Sequence, residues 1–215
     1  MTSPVAILIG PPGAGKSTVG ALLAARLEVG FTDTDTEVEE AAGKPVGDIF
    51  IEDGEAAFRA LEREAVARAV ASHDGVLSLG GGAVLDPGTQ LLLTERLVVY
   101  LATGFAAAAK RVGMDTSRPL LIGNPRARLR ALLEQRLPIY EKLARITVTT
   151  DGRAPDADPG QAGCLRLAVL LARLRGALEA PPSLVARSSL LSPGGAAPLD
   201  SLTVRPLQGN RSPAG

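Results

Sequence analysis

Gly10-Pro11-Pro12-Gly13-Ala14-Gly15-Lys16-Ser17-Thr18 has the residue types and spacing of a phosphate-binding loop, G-x-x-x-x-G-K-[ST]. Glycines let such a backbone curl until successive N–H groups face phosphate oxygens. Lys16 can then reach the outer phosphates of a nucleotide, and the Ser17 hydroxyl can ligate Mg²⁺. Gly13, Ala14, Gly15, Lys16, Ser17 and Thr18 are the candidate nucleotide-binding residues. A glycine turn that merely precedes a lysine would need no particular flanks. Here residues 4–9 form an apolar run suited to a strand buried on both faces, and residues 19–27 read as a helix. The helix N-terminus adds partial positive charge at the same place.

Other groups able to do chemistry follow along the chain. Asp33-Thr34-Asp35 comes after the short second strand read at 31–33, and ligands gather at the carboxyl ends of strands in open α/β sheets. One carboxylate there can hold Mg²⁺ through water, while the other aligns an acceptor hydroxyl and takes its proton. Helix N-capping alone accounts for one of these acids, not both. Arg59 precedes Glu62 by three residues on a helical stretch, so the two share a face and Glu62 can fix the guanidinium; a surface ion pair is the plainer reading. Gly80-Gly81-Gly82 follows a buried strand, where bare backbone can approach a small ligand closely. Arg118-Pro119 and Arg136 are further candidates for anionic groups.

The elements that must position these groups alternate between apolar runs and amphipathic segments, which predicts an α/β domain with a largely parallel sheet. Strands are expected near 4–9, 31–33, 75–79, 97–101 and 146–149, and helices at 19–27, 36–42, 46–50, 53–72, from 86, 104–112, 125–143 and 160–178. The long helix at 53–72 repeats Phe58, Leu61, Ala65, Val66 and Ala69 at helical spacing. Residues 112–124 are poorly periodic and suit a mobile lid. From residue 180 to 215 the sequence turns rich in Pro, Gly and Ser without sustained pattern, and a disordered tail is expected because ordering it buries too little apolar surface.

Composition removes several classes. Lys+Arg and Asp+Glu balance at 23 each, so no charge excess points to nucleic acid or an acidic membrane. The single Cys164 cannot form an internal disulfide, and no apolar run approaches the roughly 18 residues of a membrane span. The N-terminal apolar run has no basic lead and feeds into the phosphate loop, unlike a signal peptide; a soluble cytoplasmic protein is expected. The guanine-reading Asn-Lys-x-Asp of GTPases is absent, and 215 residues are too few for a motor or an ABC-type signature region. His73, the lone histidine, sits at a helix end and suits capping, which excludes a histidine-based metal site.

The blocks Gly10 to Thr18, Asp33-Thr34-Asp35, Phe58-Arg59-x-x-Glu62, Leu79-Gly80-Gly81-Gly82, Arg118-Pro119-Leu120-Leu121 and Arg136-x-Pro138-x-Tyr140 occur in the order seen in shikimate kinases, which the chain resembles over residues 4–178. The resemblance implies a three-layer α/β/α nucleoside-monophosphate-kinase-like fold with a central parallel sheet of about five strands. Its catalytic domain would span 1–179, with a substrate-binding segment at 34–62 and the lid at 112–124. It implies phosphorylation of the shikimate 3-hydroxyl by ATP with Mg²⁺, in the route to chorismate, by a monomer. Lys16 and Arg118 would stabilise the transferring phosphoryl group, Ser17 would bind Mg²⁺ with Asp33 acting through water, and Asp35 would be base or orienter for the hydroxyl. Arg59, Arg136 and the amides of Gly80, Gly81 and Gly82, chiefly Gly81, would grip the substrate's carboxylate and hydroxyls, with Glu62 completing the substrate site by orienting Arg59. Phe50 and Phe58 match pocket-wall residues, although the core suits Phe58 nearly as well. Arg153 and Pro155 match the loop that packs on adenine, but the acid often found after the last strand is replaced by Thr149, with Asp151 two places on.

Two alternatives differ in class: another small-molecule kinase, such as a gluconate kinase, and a nucleotide-binding module without turnover. Lys16→Ala discriminates the loop assignment. Removal of a charge acting on the phosphoryl group should cut turnover by roughly a hundredfold or more, measured as ADP release from MgATP; substantial residual activity would refute it.

Overall fold

The computed structural model describes residues 3–112, 125–150 and 202–204. Its first strand, β1 (Ala6–Ile9), is buried along its whole length, and alternate side chains leave it toward opposite layers. Ala6 and Leu8 pack with Val19, Leu23 and Ala24 of α1 (Lys16–Leu27). Ile7 and Ile9 pack with Val66, Ala69 and Val70 of α4 (Gly54–Ser72), Leu93 of α5 (Pro87–Leu93) and Tyr140 of α7 (Pro125–Leu143). A strand apolar on both faces needs cover on both, so the expected three-layer α/β/α arrangement follows from this run.

The other strands are β2 (Phe31–Asp33), β3 (Val76–Ser78), β4 (Val98–Ala102), β5 (Ile146–Thr149) and β6 (Leu202–Val204), and the sheet order is β2-β3-β1-β4-β5-β6. The first five are parallel, as the sequence pattern predicts. Ser78 pairs with both Leu8 and Asp33, and Ile9 with Tyr100, so the strands finish in register at one edge. The phosphate loop, the Asp33–Asp35 turn and the glycine block all leave from that edge.

A satellite cluster of Val38, Ile49, Phe58 and Ala65 joins α4 to α2 (Thr34–Ala42) and α3 (Val46–Glu52). Polar contacts fix the turn between α2 and α3. Glu39 accepts a bond from the Val46 N–H at 2.9 Å, and Lys44 pairs with Glu52 at 2.8 Å and Asp53 at 2.6 Å. Elsewhere α6 (Phe105–Val112) meets α7, with the Arg130 guanidinium 5.0 Å from the Phe105 ring centroid.

Among the departures from the sequence expectations, two concern the acidic turn and the tail. α2 begins at Thr34 rather than at 36, because Asp33 caps it: Asp33 Oδ1 accepts from the Asp35 N–H at 3.1 Å. The second departure is β6. Leu202–Val204, within the stretch expected to be a disordered tail, forms an antiparallel strand on β5, pairing Val148 with Leu202 and Ile146 with Val204. An edge strand offers unpaired N–H and C=O groups, so three extended residues can be held by a backbone ladder without a periodic sequence of their own. The remainder of 180–215, the helix expected at 160–178, Cys164 and the lid from 113 to 124 lie outside the described residues.

Truncation after Glu179 removes β6 and strips the β5 edge. The expected result is a fall in melting temperature of about 3–6 °C, the shift that roughly 1.5 kcal/mol gives a chain of this size. Differential scanning fluorimetry of the two chains checks it, and identical melting temperatures would show that β6 adds nothing to stability.

Candidate active site

The phosphate loop turns through left-handed backbone at Gly13 (φ 78°) and Gly15 (φ 85°), the latter immediately before α1 starts at Lys16. Gly10 packs so closely on β4 that a Cβ there would stand 2.7 Å from the Leu101 carbonyl oxygen. Lys16 Nζ folds over the loop and donates to the carbonyls of Gly10 at 3.1 Å and Pro11 at 3.3 Å. The Ser17 hydroxyl donates to Asp33 Oδ2 at 2.7 Å. One carboxylate thus caps α2 with one oxygen and meets the phosphate loop with the other. This leaves Asp35, in the first turn of α2, as the second acid of the pair.

Asp35 faces the glycine block. A Cβ on Gly80 would clash with Asp35 Oδ1 and stand 2.8 Å from Glu62 Oε1, so both carboxylates rest against bare backbone. The Gly80 N–H is itself committed, donating to the buried Thr34 hydroxyl at 3.0 Å. Arg59 Nη1 donates to Glu62 Oε2 at 2.5 Å, and Nη2 meets Glu55 at 3.2 Å. The Arg59 guanidinium also fills the place that a side chain on Gly82 would need. Its Cζ lies 5.3 Å from the Phe58 centroid, and Phe50 packs on Phe58 at 4.5 Å, so Phe58 backs the arginine while both phenylalanines belong to the satellite cluster.

Glu62 is only 3% exposed, and burial pushes its carboxyl above the ordinary range. Arg59 works against that rise and the nearby Asp35 adds to it. For Arg59, burial is the largest single effect and lowers the pKa, yet Glu62 and Glu55 together leave it raised. Desolvation thus works against the Glu62 carboxylate, while the Arg59 guanidinium favours it.

Arg136, on α7, is 4% exposed, and its Nε has no hydrogen-bond partner among the described residues. It lies beside Glu62 and Tyr140, on whose protons its charge acts. Tyr140, one helical turn on, donates to the Gly81 carbonyl at 2.6 Å. Gly81 in turn packs on the phosphate loop, where its Cβ would stand 3.3 Å from Pro12 Cδ and 3.4 Å from the Gly10 oxygen.

Of the sequence-predicted residues, the structure brings together Gly13, Ala14, Gly15, Lys16, Ser17, Thr18, Asp33, Asp35, Arg59, Glu62, Gly80, Gly81, Gly82 and Arg136 along one edge of the sheet. Arg118, Arg153 and Pro155 lie outside the described residues. Three participants were not singled out by the sequence. Thr34 was read only as the middle of an acidic triplet, and Tyr140 only as part of a motif. Arg111 had no signal at all; its guanidinium donates to the Gly13 carbonyl at 3.0 Å and to the Thr150 carbonyl at 3.1 Å, joining the phosphate loop to the end of β5.

A phosphate loop beside a cluster of carboxylates and arginines, both on the carboxyl edge of a parallel sheet, defines a P-loop kinase for a small acceptor. The shikimate kinase family matches this chain over residues 12–162. The shikimate kinase of Thermobifida fusca (strain YX) is 63% identical over 153 residues, which cover 71% of this chain and 89% of that protein. That of Saccharopolyspora erythraea is 58% identical over 156 residues, 72% and 89% of the two chains. Among solved structures, the shikimate kinase from Acinetobacter baumannii in complex with shikimate superposes with a TM-score of 0.71 at 33% identity, covering 80% of this chain and 95% of that one. The chain belongs to the shikimate kinase family, enzymes that take their phosphoryl group from ATP.

The raised Glu62 pKa has a stability consequence. The native state holds this proton more tightly than the unfolded chain does, so the residue's contribution is most favourable below pH 4.5 and is lost as pH rises through the higher folded pKa. The melting temperature of the native protein relative to Glu62→Gln should therefore decline between pH 4.5 and 7.5. A pH series of melting curves checks this, and a constant difference would show that Glu62 titrates normally.

Proposed function

We propose that this chain transfers the γ-phosphoryl group of ATP to the 3-hydroxyl of shikimate, giving shikimate 3-phosphate and ADP. The observation that carries the reading is the convergence of Asp35, the Arg59–Glu62 pair and Arg136 on a glycine block that packs against the phosphate loop. A small anion with several hydroxyls is oriented by such a set: two guanidiniums for its carboxylate and one aspartate for one hydroxyl. The likeness to the shikimate-bound structure at 33% identity supports the same acceptor.

In this reading the acceptor oxygen attacks the γ-phosphorus, the bond from that phosphorus to the β–γ bridging oxygen breaks, and ADP leaves. Asp35 orients the hydroxyl and receives its proton. Lys16, released from the carbonyls of Gly10 and Pro11, stabilises charge on the transferring group together with Arg118. Glu62 holds Arg59 in place, and the backbone of Gly80, Gly81 and Gly82 closes the acceptor pocket. Ser17 and Asp33 present two hard oxygen donors 2.7 Å apart, a set that suits Mg²⁺; the ion would neutralise phosphate charge. Arg153 would pack on the adenine. We assign the enzyme to the cytoplasm as a monomer, with its catalytic residues within 1–179 and β6 added to the sheet from beyond that span.

ADP release from MgATP, with shikimate, gluconate, a nucleoside monophosphate or no acceptor, tests the reading. Release that depends on shikimate is expected, and release that ignores it would sink the acceptor assignment while leaving the nucleotide site standing. Asp35→Asn should lower kcat roughly a hundredfold or more with little change in KM for ATP. If ATP affinity collapses and rate does not, Asp35 serves the nucleotide instead.

A further inference from the structure

Tyr140 is buried, and its ring stacks on Tyr100 at 5.2 Å between centroids. Its hydroxyl nevertheless spends its proton on a particular atom, the Gly81 carbonyl, at 2.6 Å. A carbonyl and the following N–H point in opposite directions across a trans peptide. The bond therefore fixes the plane of the Gly81–Gly82 peptide and turns the Gly82 N–H away from α7. The hydroxyl also lies within hydrogen-bonding reach of Arg136, one turn earlier on the helix. Between them, Pro138 sits inside α7 and removes one backbone donor from that turn, so side-chain contacts must help to hold it. Burial pushes the phenol up to about 12, so it stays protonated and remains a donor at any pH at which the enzyme works.

We propose that Tyr140 is a positioning residue for the acceptor site. Its hydroxyl sets Arg136 and the Gly81–Gly82 peptide in one fixed relation, so that the guanidinium and the glycine backbone meet the acceptor's carboxylate side together. Gly81 also lies beside the phosphate loop, where an added Cβ would stand 3.3 Å from Pro12 Cδ and 3.4 Å from the Gly10 oxygen, so this stretch of backbone has little room to shift once the bond is made. The inference rests on the acceptor assignment made above.

Steady-state kinetics of Tyr140→Phe test it, because phenylalanine keeps the ring on Tyr100 and removes only the hydroxyl. The KM for shikimate should rise roughly tenfold, as expected when a buried acceptor and a neighbouring charge lose their partner. kcat at saturating acceptor and the KM for ATP should stay within about threefold, a split that a general loosening of the core would not produce. A second measurement uses Arg136→Lys and the double variant. If Tyr140 acts through Arg136, the two losses in shikimate affinity are less than multiplicative. An unchanged KM for shikimate in a cooperatively melting Tyr140→Phe protein would overturn the proposal. So would parallel losses in kcat and ATP affinity, or fully multiplicative effects. Native protein that shows no shikimate-dependent turnover at all would instead refute the acceptor assignment itself.

Discussion

Three residues without side chains at the end of β3 are the constraint on which the site depends. Asp35 and Glu62 crowd the face of Gly80, Arg59 fills the space beside Gly82, and Gly81 is pressed between the phosphate loop and the Tyr140 hydroxyl. Any Cβ at Gly80 or Gly82 would displace a charged group from α2 or α4. The glycines cost ordering entropy in a segment that could otherwise have been stiffer. What they provide is an approach of four elements to one short stretch of backbone, which no side-chain-bearing segment would permit.

Around that backbone, charged groups are buried at a cost in desolvation. Glu62 is desolvated to a degree that raises its pKa, and it stays because Arg59 needs a fixed partner. Arg136 is nearly as buried, with one guanidinium nitrogen left without a protein partner among the described residues. Buried charge of this kind is weak support for a fold and a stronger pointer to a binding surface. The apolar layers on both sides of β1 supply the stability against which this arrangement is maintained.

The sequence was legible where a local rule and a global one coincide. β1 could be placed because its apolar run is followed by a loop whose glycines have one use, and α4 because its apolar repeat is sustained from Phe58 to Ala69. The sequence argument that capping accounts for one of the acids at 33 and 35, not both, finds its cap in Asp33, whose other oxygen meets Ser17. Other participants were illegible for physical reasons. Arg111 contributes through contacts to two backbone carbonyls far away in sequence, and a lone arginine near a helix end carries no mark of that. Thr34 matters because it is buried under Gly80, a relation that depends on the register of β2 with β3. β6 has no periodic signal because a three-residue edge strand is specified by the ladder it joins.

The position of β6 also bears on how the molecule is assembled. β1, at the centre of the sheet, gains its neighbours β3 and β4 from the first half of the chain, so the middle of the sheet can form before synthesis ends. β6 pairs residues near 146 with residues near 204, a contact across a long interval of sequence, and such pairings are slow because loop closure precedes any gain. The β5 edge therefore waits longest for its partner. During that interval a nascent chain carries a catalytic edge already in register and a lateral edge still open to strands from other molecules.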